Sequence, residues 1–237
     1  MDWKIIDTGT SSAENNMAYD QEMLEQAAII RRPILRFYSW TKPSATYGYF
    51  IDPQRYFKLD QLNTFELDIA RRPTGGGILF HTDDLTFSVL IPSTHKAFSN
   101  QTLENYRYVN ERIIQALLTL EPQLEAPHLL QKQHIEQKQD IPFCMANPTI
   151  YDIMISGKKV GGAAQRKTKQ GFLHQGSISL SLPAFSLITS VLHQGTSLYE
   201  CFYKHSYPLF DQSMLSIPRD QYIKQLIYSI THAFTTK

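Results

Sequence analysis

Apolar positions along the chain recur with two periods, one helical and one extended. Over residues 14–30, Met17, Leu24 and Ala28 can share one helical face, and Pro33 bars continuation. Residues 34–40 are β-branched and aromatic and predict a strand. The segment 41–53, punctuated by Pro43, Gly48 and Pro53, predicts a loop. Residues 67–72 read as extended, and residues 78–81 and 85–91 as two strands around the polar turn Thr82-Asp83-Asp84. The clearest helix spans 101–120, where Leu103, Tyr106, Ile113, Leu117 and Leu120 recur at helical spacing before Pro122. Residues 150–155 and 159–164 predict a hairpin across Ser156-Gly157, and 172–180 a further strand. Residues 184–192 and 219–234 read as helices, the second with Ile223, Ile227, Ile230 and Phe234 on one face. The run 131–140 has almost nothing to bury and predicts a mobile loop. There is no internal repeat and no regular β-α-β rhythm. The expected class is α+β, a mixed and largely antiparallel sheet with helices packed on it.

Composition narrows the function classes. A chain of 237 residues, 42% apolar and 19% charged, fits one large domain or two small ones. A net charge of +1 supplies no global field for nucleic acid or membrane, so any anion site must be local. Two cysteines, Cys144 and Cys201, make no disulfide framework and no zinc site. The start Met1-Asp2-Trp3-Lys4 lacks a secretion signal, and no run approaches the ~20 apolar residues that span a bilayer. The expectation is a cytoplasmic protein that binds neither membrane nor nucleic acid.

Four segments carry candidate chemistry. The first is Arg71-Arg72-Pro73-Thr74-Gly75-Gly76-Gly77-Ile78-Leu79-Phe80-His81. Consecutive glycines let the backbone approach a ligand closely, and two arginines supply fixed positive charge. Taken alone, the same residues also suit a flexible turn with surface arginines. The spacing is neither that of a P-loop nor of a dinucleotide fingerprint. In the second, alternation puts Asp152 and Met154 on one strand face, followed by Lys158-Lys159 and the small residues Gly161, Gly162, Ala163 and Ala164. A lysine over a wall of small residues can contact an acyl carbonyl or a phosphate; a solvated basic turn is the blander alternative. In the third, His174 precedes Gln175 and Gly176. Taken by itself it satisfies a sheet edge more readily than it contacts a ligand. The fourth is Cys144, a small hydrophobe or, beside its polar loop, a thiolate able to carry an acyl group.

Together these segments resemble the lipoate–protein ligase and octanoyltransferase superfamily, which also contains biotin ligase catalytic domains. The resemblance rests on Arg-Arg-x-Thr-Gly-Gly-Gly-x-x-Phe-His at 71–81 and Gly-x-Lys-Val-x-Gly-x-Ala at 157–164. Asn16-Met17-Ala18 and Tyr47-Gly48-Tyr49-Phe50 also match, and the four motifs stand in the family's order over residues 3–183. It implies one catalytic domain over residues 1–237, like class II synthetase and biotin ligase domains, with 184–237 as a helical extension. It also implies that Gly75, Gly76 and Gly77 hug the acyl chain, with Arg72 holding the loop and the anion. Lys159 would meet the acyl carbonyl, and His81, Gly162 and Ala163 would line the substrate site.

Two subfamilies compete. Gly77, Phe80, His81 and Asp152 resemble the ATP-dependent ligases, which make an acyl-adenylate from lipoate or octanoate, ATP and magnesium, with Asp152 helping to place the metal. Cys144 followed by Pro148 and Tyr151, and Asp84-Leu85-Thr86-Phe87-Ser88-Val89, resemble the cysteine-dependent octanoyltransferases. Those take the acyl group from acyl carrier protein through a thioester. Gln175, where both groups often have His, departs from the pattern, and residues 184–237 leave little room for a large ligase's extra domain. Gly77 and Asp152 tip the sequence reading to the ligase. The implied acceptor is a lysine on a lipoyl domain of a 2-oxoacid dehydrogenase or on glycine cleavage H protein. A third expectation is a non-catalytic binder of lipoate or lipoyl domains, against which Lys159 argues. Tyr47, Tyr49 and Phe87 are candidate walls of the acyl tunnel by aromatic character.

Overall fold

A computed structural model describes residues 3–131 and 148–236. In chain order the elements are β1 (Lys4–Ser11), α1 (Ala13–Glu25), β2 (Ile34–Trp40), β3 (Ser44–Tyr47), β4 (Asp68–Arg71), β5 (Ile78–His81), β6 (Asp84–Pro92) and α2 (Thr102–Leu120). Next come β7 (His128–Leu129), β8 (Ile153–Ile155), β9 (Lys158–Lys159), β10 (Gly161–Lys167) and β11 (Gly171–Ser179). The helices α3 (Phe185–Val191), α4 (Gly195–His205) and α5 (Arg219–Thr235) complete the described chain.

The main sheet has the order β1-β2-β6-β11-β10. Its β1–β2 pair is parallel, joined through α1, and its other pairs are antiparallel. The expected mixed, antiparallel-rich sheet with packed helices is therefore present. One face is covered by α2 and α5, with Phe37, Phe87, Val89 and Phe172 meeting Val109, Ile113, Leu226 and Ile230. Each such burial contributes about 1.5–3 kcal/mol. The other face receives α1, through Met23 and Leu24 against Ile34, Leu90 and Leu173. Beside α1 lies a second sheet, β4-β3-β5, whose Ala45, Ile78 and Phe80 pack on α3 and α4. A third small sheet, β7-β8-β9, packs its Leu129, Ile153 and Ile155 into the same core that α2 and α5 cover.

Several expectations change. Helix α1 starts where the Ser12 hydroxyl accepts from the Asn15 amide, then tightens to a 3-10 turn at Gln26–Ala28. The change of pitch turns Ala27 inward and leaves Ala28 outside. Leu103 stands 51% exposed in the first turn of α2, where Asn105 and Tyr106 face in instead. The hairpin forms around Ser156 and Gly157, both at positive φ, as two-residue hairpin turns require. Its second arm divides at Val160, so that Lys158–Lys159 pairs with β8 while Gly161 onward joins the main sheet. Strand β3 lies inside the segment expected as loop, and β1 and α4 lie where no element was expected. The loop expected over 131–140 falls almost wholly outside the described residues, as does Cys144.

Candidate active site

The glycine-rich loop joins β4 to β5 and is fastened from beneath by Arg72. One end of its guanidinium donates to Thr46 O and Oγ1 at 2.9 and 2.8 Å, the other to Gly75 O and Gly77 O at 3.0 and 2.8 Å. Arg72 is 4% exposed, so the structure gives it the loop-holding half of its expected role. The chain after β3 grips the loop's other side. Gly48 N donates to Gly77 O at 3.1 Å and Tyr49 N to Thr74 O at 3.0 Å. A Cβ on Gly48 would stand 1.9 Å from Gly76 O, so only glycine permits this approach. Gly76 itself has φ +87°.

From Thr46 a polar chain crosses to the main sheet. Its hydroxyl meets His81 Nε2 at 2.9 Å, and His81 Nδ1 meets Asp84 Oδ2 at 2.7 Å. Because Arg72 donates to Thr46 Oγ1, that hydroxyl's own proton is left to point at Nε2, and Nδ1 faces the Asp84 carboxylate. Asp84 Oδ2 also accepts from Thr86 and from Ser177 Oγ, at 2.9 and 2.6 Å. Trp40 stacks on His81 at 4.1 Å and orients it further.

A second buried network fixes the loop from α1. Asp20 accepts from Arg36 at 2.7 Å, Ser88 at 2.8 Å and Gln175 at 2.7 Å. Gln175 in turn accepts from Thr74 Oγ1 at 2.7 Å. The departure from the family's usual His is thus absorbed, since this glutamine bridges an acid on α1 to the glycine loop. Burial and the neighbouring Asp20 push the Tyr38 phenol well above its usual range. Sequence reasoning missed Asp20 and Arg36, yet both leave a signal. Asp20 lies three residues after Met17 and four before Leu24, and Arg36 interrupts an apolar strand.

Between the networks runs a narrow cleft, lined by Met17, Leu79, His81, Gly162, Ala163 and Gln175. Its cavity volume of about 20 Å³ admits roughly one water, so any longer occupant would have to part the walls. Leu79 packs closely over Gly162, its methyls 3.0–3.1 Å from where a Cβ there would lie. The aromatic walls expected from Tyr47, Tyr49 and Phe87 are not among its lining, which takes Tyr38 instead. Phe87 lies across the sheet, directly under Gly176.

Lys159 and Asp152 form a buried pair, Nζ to Oδ2 at 2.7 Å, with side chains 3% and 2% exposed. Asp152 Oδ1 accepts from Tyr106 OH at 2.6 Å, and Oδ2 from Thr149 N and Oγ1 at 2.7 and 3.1 Å. The two oxygens thus take four donors, one of them a cation, and this arrangement does not fit a magnesium ligand. Tyr151, just before, sits at φ +70°, a strained position of the kind that clusters at functional sites. The solvated basic turn is not what forms, because Lys159 is buried against Asp152 and Lys158 turns to the Tyr203 ring at 5.8 Å. Nor is His174 on a sheet edge, because β11 is an interior strand. Its ring lies between Phe87 and Tyr106, Nε2 has no hydrogen-bond partner among the described residues, and burial pushes its pKa down to about 3.

Among the described residues no helix is long and apolar enough to cross a membrane. Among curated relatives, the octanoyltransferase LipM of Anoxybacillus flavithermus is 33% identical over 186 residues, 76% of this chain and 66% of that protein. LipM of Bacillus subtilis is 29% identical over 201 residues, 84% of this chain and 72% of that protein. The chain thus spans just under two thirds of the length of the first of these relatives. Among solved structures, a lipoate protein ligase of T. acidophilum with bound lipoic acid has a TM-score of 0.73 at 22% identity, covering 98% of this chain and 86% of that one. A lipoate-protein ligase A bound with ATP gives 0.72 at 24%, covering 98% and 85%. At these identities the likeness to the ligases is one of fold. The family model described as the lipoyl protein ligase A/B catalytic domain matches residues 12–218, so the chain belongs to that family.

Proposed function

We propose that the protein is a cysteine-dependent octanoyltransferase of protein lipoylation, acting without ATP. This reverses the preference that Gly77 and Asp152 give in the sequence. The observation that carries it is the state of Asp152. A ligase would need that carboxylate for magnesium, and here it is bound by Lys159, Tyr106 and Thr149. The LipM relatives support the same reading.

In the proposed steps the Cys144 thiolate attacks the carbonyl of an octanoyl thioester on acyl carrier protein. A new C–S bond forms, the old one breaks, and the carrier thiol leaves with a proton. The amine of an acceptor lysine, on a lipoyl domain or on H protein, then attacks the Cys144 thioester. An amide forms, the attacking nitrogen gives up a proton, and Cys144 is released as the thiol. Each attack puts negative charge on the carbonyl oxygen. In this reading Lys159 is the cation that stabilises it, together with backbone amides of the Gly75–Gly77 loop. Leu79, Gly162 and Ala163 wall the acyl chain, and His81 braces the loop. Asp152 and Tyr106 aim Lys159.

The acyl carrier reaction tests this directly. Cys144→Ser abolishes octanoyl transfer, and the wild-type enzyme accumulates an octanoyl adduct that hydroxylamine removes. If Cys144→Ser keeps most of its activity with free lipoate, ATP and magnesium, the ligase reading replaces this one.

A further inference from the structure

The cleft continues past Gly162. A second hollow adjoins it, with Leu79, Gly162 and Ser177 as common walls. Its far side is Phe202, on α4, and Ser206, just past that helix. Ser206 is 2% exposed, and its hydroxyl has no hydrogen-bond partner among the described residues. An unmade buried hydrogen bond is costly, so this hydroxyl calls for an occupant. The hollow also lies beside the buried lysine. Ser206 bridges Lys159 through the backbone, and Tyr207 N donates to Lys159 O at 2.8 Å.

The lining selects the occupant's charge. Two carboxylates, Asp83 and Asp84, border the hollow, and its lining includes no lysine or arginine. Asp84 is committed to His81, Thr86 and Ser177, and Asp83 to Arg219. A phosphate would meet two carboxylates here and no lysine or arginine in the lining. A neutral amide between Phe202 and the serine hydroxyls would find both apolar contact and a hydrogen-bond partner.

We propose that this hollow is the subsite for the neutral, amide-bearing pantetheine arm of the thioester donor, with the Ser206 hydroxyl bonding one of its amides. The proposal rests on the transferase reading and adds where the donor's arm lies. The acyl chain occupies the cleft on the glycine-loop side of Gly162, the arm occupies the hollow on the Ser206 side, and the thioester carbonyl falls between them, near Lys159.

Three donors test it with the full-length enzyme: S-octanoyl pantetheine, S-octanoyl N-acetylcysteamine and S-octanoyl ethanethiol. The measurement is kcat/KM for acyl-enzyme formation by intact mass. Expected is a fall in kcat/KM as the arm is shortened. In Ser206→Ala the preference for pantetheine over ethanethiol drops about 3- to 10-fold, the worth of one neutral hydrogen bond, with the melting temperature unchanged. If the preference is the same in wild type and Ser206→Ala, the hydroxyl serves a trapped water and the proposal is wrong. If wild type does not discriminate among the donors, the arm has no subsite and the proposal is equally wrong. Absence of acyl-enzyme from all three donors and from octanoyl carrier protein overturns the transferase reading, and this inference with it.

Discussion

Lys159 and Asp152 share 2.7 Å of space that solvent does not reach. A buried pair of this kind is weak as a source of stability, but breaking it is expensive, about 3–5 kcal/mol for one partner left charged and alone. Lys159→Met and Asp152→Ala should therefore each lower unfolding stability by roughly that amount in urea titration. The double variant should recover much of the loss, because both charges have gone. Activity should behave differently, since removing an oxyanion-stabilising group costs about 10²- to 10³-fold in rate. The double variant should thus be stable yet as inactive as Lys159→Met. If it regains activity along with stability, Lys159 is only structural. The lysine was legible in the sequence because small residues follow it. Its pairing was not, since Asp152 reads equally well as a metal ligand until Tyr106 and Thr149 are seen to occupy its oxygens.

At the level of elements, the glycine loop works as a clasp closed from two sides. The loop was half legible, since three glycines beside two arginines suit a close backbone approach and a flexible turn equally well. Its seat was not. Strand β3 is only four residues long and ends at Tyr47, just before Gly48, in a stretch whose prolines and glycine read as a loop. Gly48→Ala puts a methyl into the Gly76 carbonyl and should destabilise by about 1–3 kcal/mol. It should also lower kcat/KM, by displacing the loop. Arg72→Lys should be nearly as damaging, because an ammonium cannot span Thr46 on one side and Gly75 with Gly77 on the other. A melting curve and kcat/KM on both variants check this, and wild-type values for either would remove the clasp from the account. Helix α4 escaped notice because only Gly195, Leu198 and Phe202 of its eleven residues are buried, too sparse a stripe to announce itself.

Over the whole molecule, the main sheet apart from β1, and its two coverings, followed from the pattern of apolar positions, while the polar groups sealed inside did not. His174 shows the difference. Its burial in an interior strand holds the folded pKa at about 3, against 6.5 for an unperturbed imidazole. Between those values the unfolded chain binds a proton that the folded one refuses. Stability from this group is complete above pH 6.5 and falls with pH by up to about 1.4 kcal/mol per unit down to about 3. His174→Phe should remove that part of the acid sensitivity, seen as a smaller drop in urea midpoint between pH 7 and pH 5. An unchanged drop would mean that the imidazole is not sealed off. The acyl transfer itself is tested most directly by the intact mass of an apo lipoyl domain or H protein after incubation with this enzyme. One sample holds octanoyl carrier protein without ATP, the other lipoate, ATP and magnesium. An octanoyl increment in the first sample, lost in Cys144→Ser, is the expected result. A lipoyl increment confined to the second sample would make the protein an ATP-dependent ligase and leave Cys144 a bystander.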